Sequence, residues 1–168
     1  GRLSLTEEQP AGPLPMTGYV ASDVRWLRRD FLDDARRIVA FYQDLFGPFP
    51  FEDLKIIQRL WSSAGGHSPA SFLVVNELLR RTGAAGAPVS MVPSPNSPVD
   101  LSQWRDYFLA HELAHQWWGQ AVTGATYRDQ WLSEGLSQFA AALYLRSKYG
   151  EASYSAILKK FSKWTRRK

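Results

Sequence analysis

Four side chains limit what this 168-residue chain can fold into: His111 and His115 four positions apart, Glu112 between them, and Glu134 after eighteen intervening residues. On a helix, positions four apart sit about 40° apart around the axis, so both imidazoles leave the same side. Glu112 projects about 100° away from His111, beside the point where the imidazoles converge. His111, His115 and Glu134 together supply three ligands of the kind that hold zinc. A fourth position is left for water, which a catalytic site keeps open and a structural site closes. Glu112 is the spare carboxylate of such a pattern and is suited to act as general base. The fold must therefore provide one helix for the histidines and a second element that brings Glu134 across to them.

The flanking residues agree with a buried site. Trp104, Phe108, His111, His115 and Trp118 share one helical stripe by their i, i+3, i+4 spacing, so the histidines face a core or cleft. Glu134 lies inside the apolar run Trp131-Leu132-Ser133-Glu134-Gly135. An unpaired carboxylate is costly there, and a metal ion would neutralise it. One Zn2+ per chain is the expectation, since a set of two histidines and one glutamate favours zinc over other divalent ions.

The segments HELAHQWWG (111–119) and WLSEGLSQF (131–139) resemble the zinc-binding core of the M1 aminopeptidases, gluzincins of the aminopeptidase N type. The likeness is most specific over about residues 104–145. It implies a mainly α, α+β fold: a thermolysin-like gluzincin catalytic core with a small β element before the zinc-binding helices. It also implies zinc-dependent peptide-bond hydrolysis, with His111, His115 and Glu134 as metal ligands and Glu112 as catalytic base. A peptide is the implied substrate.

The chain departs from that family at two places. Where M1 enzymes carry a Gly-x-Met-Glu-Asn segment whose glutamate holds the substrate amine, this chain has Ser63-Ala64-Gly65-Gly66-His67-Ser68-Pro69. The glycines fit, but no acid follows them. A histidine cannot serve as counter-ion for an ammonium, and once protonated it repels one. Gly65, Gly66 and His67 stay candidate substrate-binding positions, because a backbone edge can pair with an extended peptide. Recognition of a peptide N-terminus is expected to be altered, with exo- and endopeptidase action both open. The second departure is the tyrosine that stabilises the oxyanion in M1 enzymes, which family spacing puts beyond Lys168. Tyr127, Tyr144, Tyr149 and Tyr154 do not occupy its position. The rival reading is a non-catalytic, zinc-braced module that only binds peptide.

The rest of the chain sets the frame. Residues 1–20, with Pro10, Pro13 and Pro15, read as a linker or N-terminal arm. Residues 21–168 read as one metallopeptidase catalytic domain belonging to a longer protein, whose remaining domains would be its partners. Helices are expected from Ser22 or Asp23 to Phe46, from a cap at Asp100 or Ser102 to Gly119, from Asp129 or Gln130 to Tyr149, and from Ala152 onward. Phe31, Ala35, Ile38, Tyr42 and Leu45 form the apolar stripe of the first helix. Leu132, Leu136, Phe139 and Leu143 are expected to pack the zinc-binding helix pair. Strands are expected over Leu54–Leu60 and Phe72–Val75, and a long loop over Thr82–Pro98.

Composition adds exclusions. With no cysteine, disulfides and thiolate ligands are out. No apolar run approaches the roughly 20 residues of a membrane span, and the compartment stays open. The net charge of +4 owes much to Lys159, Lys160, Lys163, Arg166, Arg167 and Lys168. No base-reading motif accompanies them, so a solvated helix face is expected and a nucleic-acid partner is not.

Overall fold

A computed structural model describes residues 3–9, 14–21, 31–59, 66–76, 101, 104 and 106–166. Its five strands are β1 (Leu3–Gln9), β2 (Met16–Ala21), β3 (Leu54–Arg59), β4 (Gly66–His67) and β5 (Phe72–Asn76). They form one mixed sheet in the order β1-β2-β3-β5-β4. β2, β3 and β5 run parallel, while β1 and β4 are the antiparallel edges. Period-two alternation explains the buried face: Leu54, Ile56 and Gln58 of β3 and Leu73 and Val75 of β5 all point inward. The expected strands at Leu54 and Phe72 are present. β1 and β2, by contrast, lie in the stretch expected as a linker or arm. The prolines there punctuate strands without excluding them. Pro10 and Pro13 fall between the two strands, and the Pro15 carbonyl accepts the Leu54 N–H as β2 begins.

Four helices follow or cross this sheet: α1 (Phe31–Phe46), α2 (Tyr107–Ala114), α3 (Gln130–Tyr149) and α4 (Glu151–Thr165). α1 ends at Gly47 as expected, where φ is +94°. Its expected start at Ser22 or Asp23 lies outside the described residues, as do the Thr82–Pro98 loop and the capping candidates Asp100 and Ser102. Phe31, Ala35, Ile38 and Tyr42 are buried as the stripe predicts, whereas Leu45 is exposed. The Tyr42 hydroxyl donates to the Ala110 carbonyl at 2.9 Å and ties α1 to α2. Around it Phe46, Phe49, Trp117 and Trp118 make a chain of ring contacts under the end of α2.

α3 begins at Gln130 and stops at Gly150, as the sequence predicts. Its packing does not follow the prediction. Leu132, Leu136 and Phe139 are 41%, 38% and 48% exposed, and the buried positions are Ser137, Ala140, Ala141, Ala142, Tyr144 and Leu145. The small residues let α3 approach α2 closely, and the bulky set lies on another face of the helix. The two helices run antiparallel: Ser137 of α3 meets His115, while Lys148 and Tyr149 at its far end meet the buried carboxylate of Asp106. α4 lies against α3, and no described helix is long and apolar enough to cross a membrane. Lys159, Lys163 and Arg166 are exposed on it, while the Lys160 ammonium sits 5.3 Å from the centre of the Trp104 ring.

Candidate metal centre

α2 carries the sequence YFLAHELA and is buried at every position but Phe108. The regular helix ends at Ala114, earlier than the Gly119 expected. Beyond it, Gln120, Ala121 and Val122 donate to the carbonyls five residues back, at His115, Gln116 and Trp117. This wider turn follows a tighter one, in which Gln116 and Trp117 donate to the carbonyls three residues back. Gly119 closes it with φ +122°, a conformation that favours glycine.

The imidazoles of His111 and His115 converge, with Nε2 atoms 3.2 Å apart. Glu134, on the fifth residue of α3, brings Oε2 to 3.5 Å from His111 Nε2 and Oε1 to 3.7 Å from His115 Nε2. These three are the one group of metal-ligating side chains found among the described residues. The donor spacing fits a tetrahedral ion. Zinc–nitrogen bonds of about 2.0–2.1 Å put neighbouring ligand atoms about 3.3 Å apart. The histidines are almost wholly buried, while the Glu134 side chain is 44% exposed, so the centre opens on the glutamate side.

Each ring is oriented by a neighbour. His115 Nδ1 faces the Trp118 carbonyl at 3.0 Å and the hydroxyls of Ser137 and Ser133 at 3.1 and 3.2 Å. Ser133 itself donates to the Trp118 carbonyl at 2.8 Å. A carbonyl can only accept, so Nδ1 carries the proton and Nε2 offers its lone pair to the centre. His111 lies against the Tyr107 ring, centroids 6.0 Å apart and planes 29° apart. Its Nδ1 is buried without a hydrogen-bond partner among the described residues. The Tyr107 hydroxyl donates to Gln138 Oε1 of α3.

Electrostatics separates the two glutamates. Burial pushes the Glu112 carboxyl up from 4.5 to about 7, with Glu134 adding to the rise and His111 opposing it. The His111 imidazole beside Glu134 holds that carboxyl below the ordinary range, against the opposing effect of burial. Burial and the neighbouring His111 both lower the His115 imidazole, against the pull of Glu134 and the Trp118 carbonyl. Glu134 is thus favoured as an anion beside the histidines, while burial favours the neutral form of Glu112.

The structure joins His111, His115 and Glu134, with Glu112 buried next to them. Gly66 belongs to the same place: a Cβ on it would lie 2.8 Å from Glu112 Oε1 and 2.7 Å from Phe108 Cζ. His67 is exposed on β4, and Gly65 lies outside the described residues. Of the four tyrosines weighed in the sequence, Tyr144 is buried, its phenol pushed up to about 12 by burial, and Tyr127 is exposed. Sequence reasoning passed over Tyr107, Gln116, Ser133 and Ser137. One signal was present: Ser133 and Ser137 stand four apart and bracket Glu134.

Two imidazoles and a carboxylate converging beside a buried glutamate form a group that could hold a metal ion. Residues 89–167 match the Peptidase family M1 domain, which with the relatives below supports a peptidase of that type. It is 50% identical over 44 residues to aminopeptidase RNPEPL1 of Mus musculus, which is 26% of this chain and 6% of that protein. It is 32% identical over 111 residues to endoplasmic reticulum aminopeptidase 1 of Homo sapiens (64% and 10%). To aminopeptidase N of Lactococcus lactis it is 27% identical over 139 residues (82% and 15%). The chain thus spans only 6% to 15% of the length of these relatives.

Proposed function

We propose that this chain carries the zinc centre of a metallopeptidase that hydrolyses peptide bonds, with His111, His115 and Glu134 as ligands and Glu112 as catalytic base. The observation that carries the reading is the convergence of the three ligand atoms with Glu112 buried alongside. The centre belongs to a gluzincin-type catalytic core, with residues 21–168 as one domain. Bound zinc supplies Lewis acidity, polarising a peptide carbonyl and making water a stronger acid at neutral pH. Glu112 takes the proton from the attacking water and hands it to the leaving amine as the C–N bond breaks. Burial favours the protonated form of Glu112 that returns the proton, and a bound cation favours the charged form that takes it. The His115 Nδ1 proton stays on the Trp118–Ser137 side, which keeps its Nε2 free for the metal.

The extended substrate lies along the β4 edge at Gly66 and His67, with Gly65 a candidate contact from the sequence alone. The segment Ser63–Pro69 contains no carboxylate to bind a free amine, so the aminopeptidase-like chemistry of the relatives comes with relaxed recognition of the N-terminus. Turnover of matched peptides with free and acetylated N-termini tests this in the zinc-loaded full-length protein. Zinc-dependent cleavage of both supports the proposal. Stoichiometric zinc with peptide binding but no cleavage would instead leave a zinc-braced binding module.

A further inference from the structure

Gln116 follows the second histidine and is fully buried, yet it points away from the metal centre, into the hairpin loop that joins β4 to β5. That loop is Ser68–Ser71. Gln116 Nε2 donates to Ser68 Oγ and to the Pro69 carbonyl, each at 2.9 Å. Its Oε1 accepts the Ser71 N–H, also at 2.9 Å. Ser68 Oγ in turn donates to the Glu112 carbonyl at 2.6 Å. One buried carboxamide therefore grips three of the four loop residues, some 45 positions away in sequence.

Two further observations give this grip a purpose. Ser71 has φ +60°, the one positive value at a non-glycine residue among those described. Such backbone persists only where its surroundings hold it, and the Gln116 bond at Ser71 N does so. Just before the loop, Gly66 of the edge strand rests on the Glu112 carboxylate, where even a methyl group would collide. The hairpin touches Glu112 through Ser68 at its carbonyl and through Gly66 at its side chain.

We propose that Gln116 is a positioning residue that clamps the β4–β5 hairpin onto the helix bearing Glu112, and so sets the distance between the substrate-pairing edge strand and the catalytic base. The proposal rests on the peptidase reading of the site. The clamp holds the strand, not the metal, so its loss loosens substrate alignment while the ligand triad stays intact. Ser71 is its weak point, because a glycine there adopts φ +60° without help.

The test uses the zinc-loaded protein with Gln116→Met, which keeps the length of the side chain and removes its hydrogen bonds. Amide hydrogen exchange over residues 66–76 is expected to quicken about tenfold relative to helices α3 and α4. With a fluorogenic peptide, KM is expected to rise about tenfold, kcat to stay within about threefold, and zinc content to be unchanged. Adding Ser71→Gly is expected to recover about fivefold of the KM loss, which a general packing defect would not show. Unchanged exchange in the hairpin, or a loss confined to kcat, overturns the proposal. If Gln116→Met fails to fold, Ser68→Ala replaces it with smaller changes of the same sign, and no change in that variant overturns the clamp. A full-length protein that cleaves no peptide defeats the peptidase reading, and the exchange measurement then decides the clamp alone.

Discussion

The Nε2 atoms of His111 and His115 stand 3.2 Å apart, close to the edge of a zinc tetrahedron. Two lone pairs at that separation repel unless a proton or a cation lies between them. The His115 proton is committed on the opposite side of its ring, to the Trp118 carbonyl and the hydroxyls of Ser133 and Ser137. A cation at the convergence point, with Glu134 closing the third side, satisfies both nitrogens, as does a proton on His111 Nε2 in the metal-free protein.

Ser133 and Ser137 orient a ring without reaching the metal position. Replacing both by alanine leaves the Trp118 carbonyl as the remaining acceptor at His115 Nδ1. Zinc affinity is expected to fall about 10- to 100-fold, the usual cost of losing groups that orient a ligating histidine. Titration of the metal-free protein against a competing chelator measures it. Unchanged affinity would mean the backbone carbonyl alone fixes the ring.

Glu112 makes stability depend on pH in a stated direction. Its folded pKa, about 7, lies above the ordinary 4.5, so the fold disfavours the charged form. Below about pH 4.5 there is no penalty; it grows as pH rises to about 7 and is complete above that, on the order of 3 kcal/mol. Metal-free Glu112→Gln is therefore expected to gain in Tm over wild type as pH goes from 4 to 8. Zinc should shrink the gain, because a cation beside Glu112 favours its charged form. A Tm difference independent of pH contradicts the assigned cause.

Gly66 is the position where a methyl group separates activity from stability. In Gly66→Ala the clash falls on the ends of two side chains, Phe108 Cζ and Glu112 Oε1, which can turn aside. Stability is expected to drop by only about 1 kcal/mol. Peptide turnover is expected to fall about 100-fold, since the displaced group is the base. Equal losses in folding and turnover, each expressed as free energy, would remove Glu112 from the mechanism.

The convergence of the candidate ligands was legible because histidine spacing on a helix is a local property. His111, His115 and Glu134 need only two helices of the expected type, and α3 runs from Gln130 to Tyr149 as its capping signals predict. Tertiary choices were not legible in the same way. Leu132, Leu136 and Phe139 look like a core face by periodicity, but α3 turns Ser137, Ala140 and Ala141 toward the interior, where small side chains permit close approach. The grip of Gln116 on Ser68–Ser71 joins residues some 45 apart, and no window along the chain contains both. β1 and β2 were hidden by their proline-rich surroundings: β1 pairs only with its sequence neighbour β2, which in turn pairs with the distant β3.

The most direct measurement is zinc per chain by elemental analysis, with peptide turnover read on the same samples of wild type, Glu112→Gln and Glu134→Ala. The account predicts near one zinc in wild type and in Glu112→Gln, with turnover lower by about 100- to 10,000-fold in the latter. Glu134→Ala should lose most of its metal and its turnover together. Folded wild-type protein that takes up no zinc when supplied with it, or Glu112→Gln that cleaves as fast as wild type, would contradict the account.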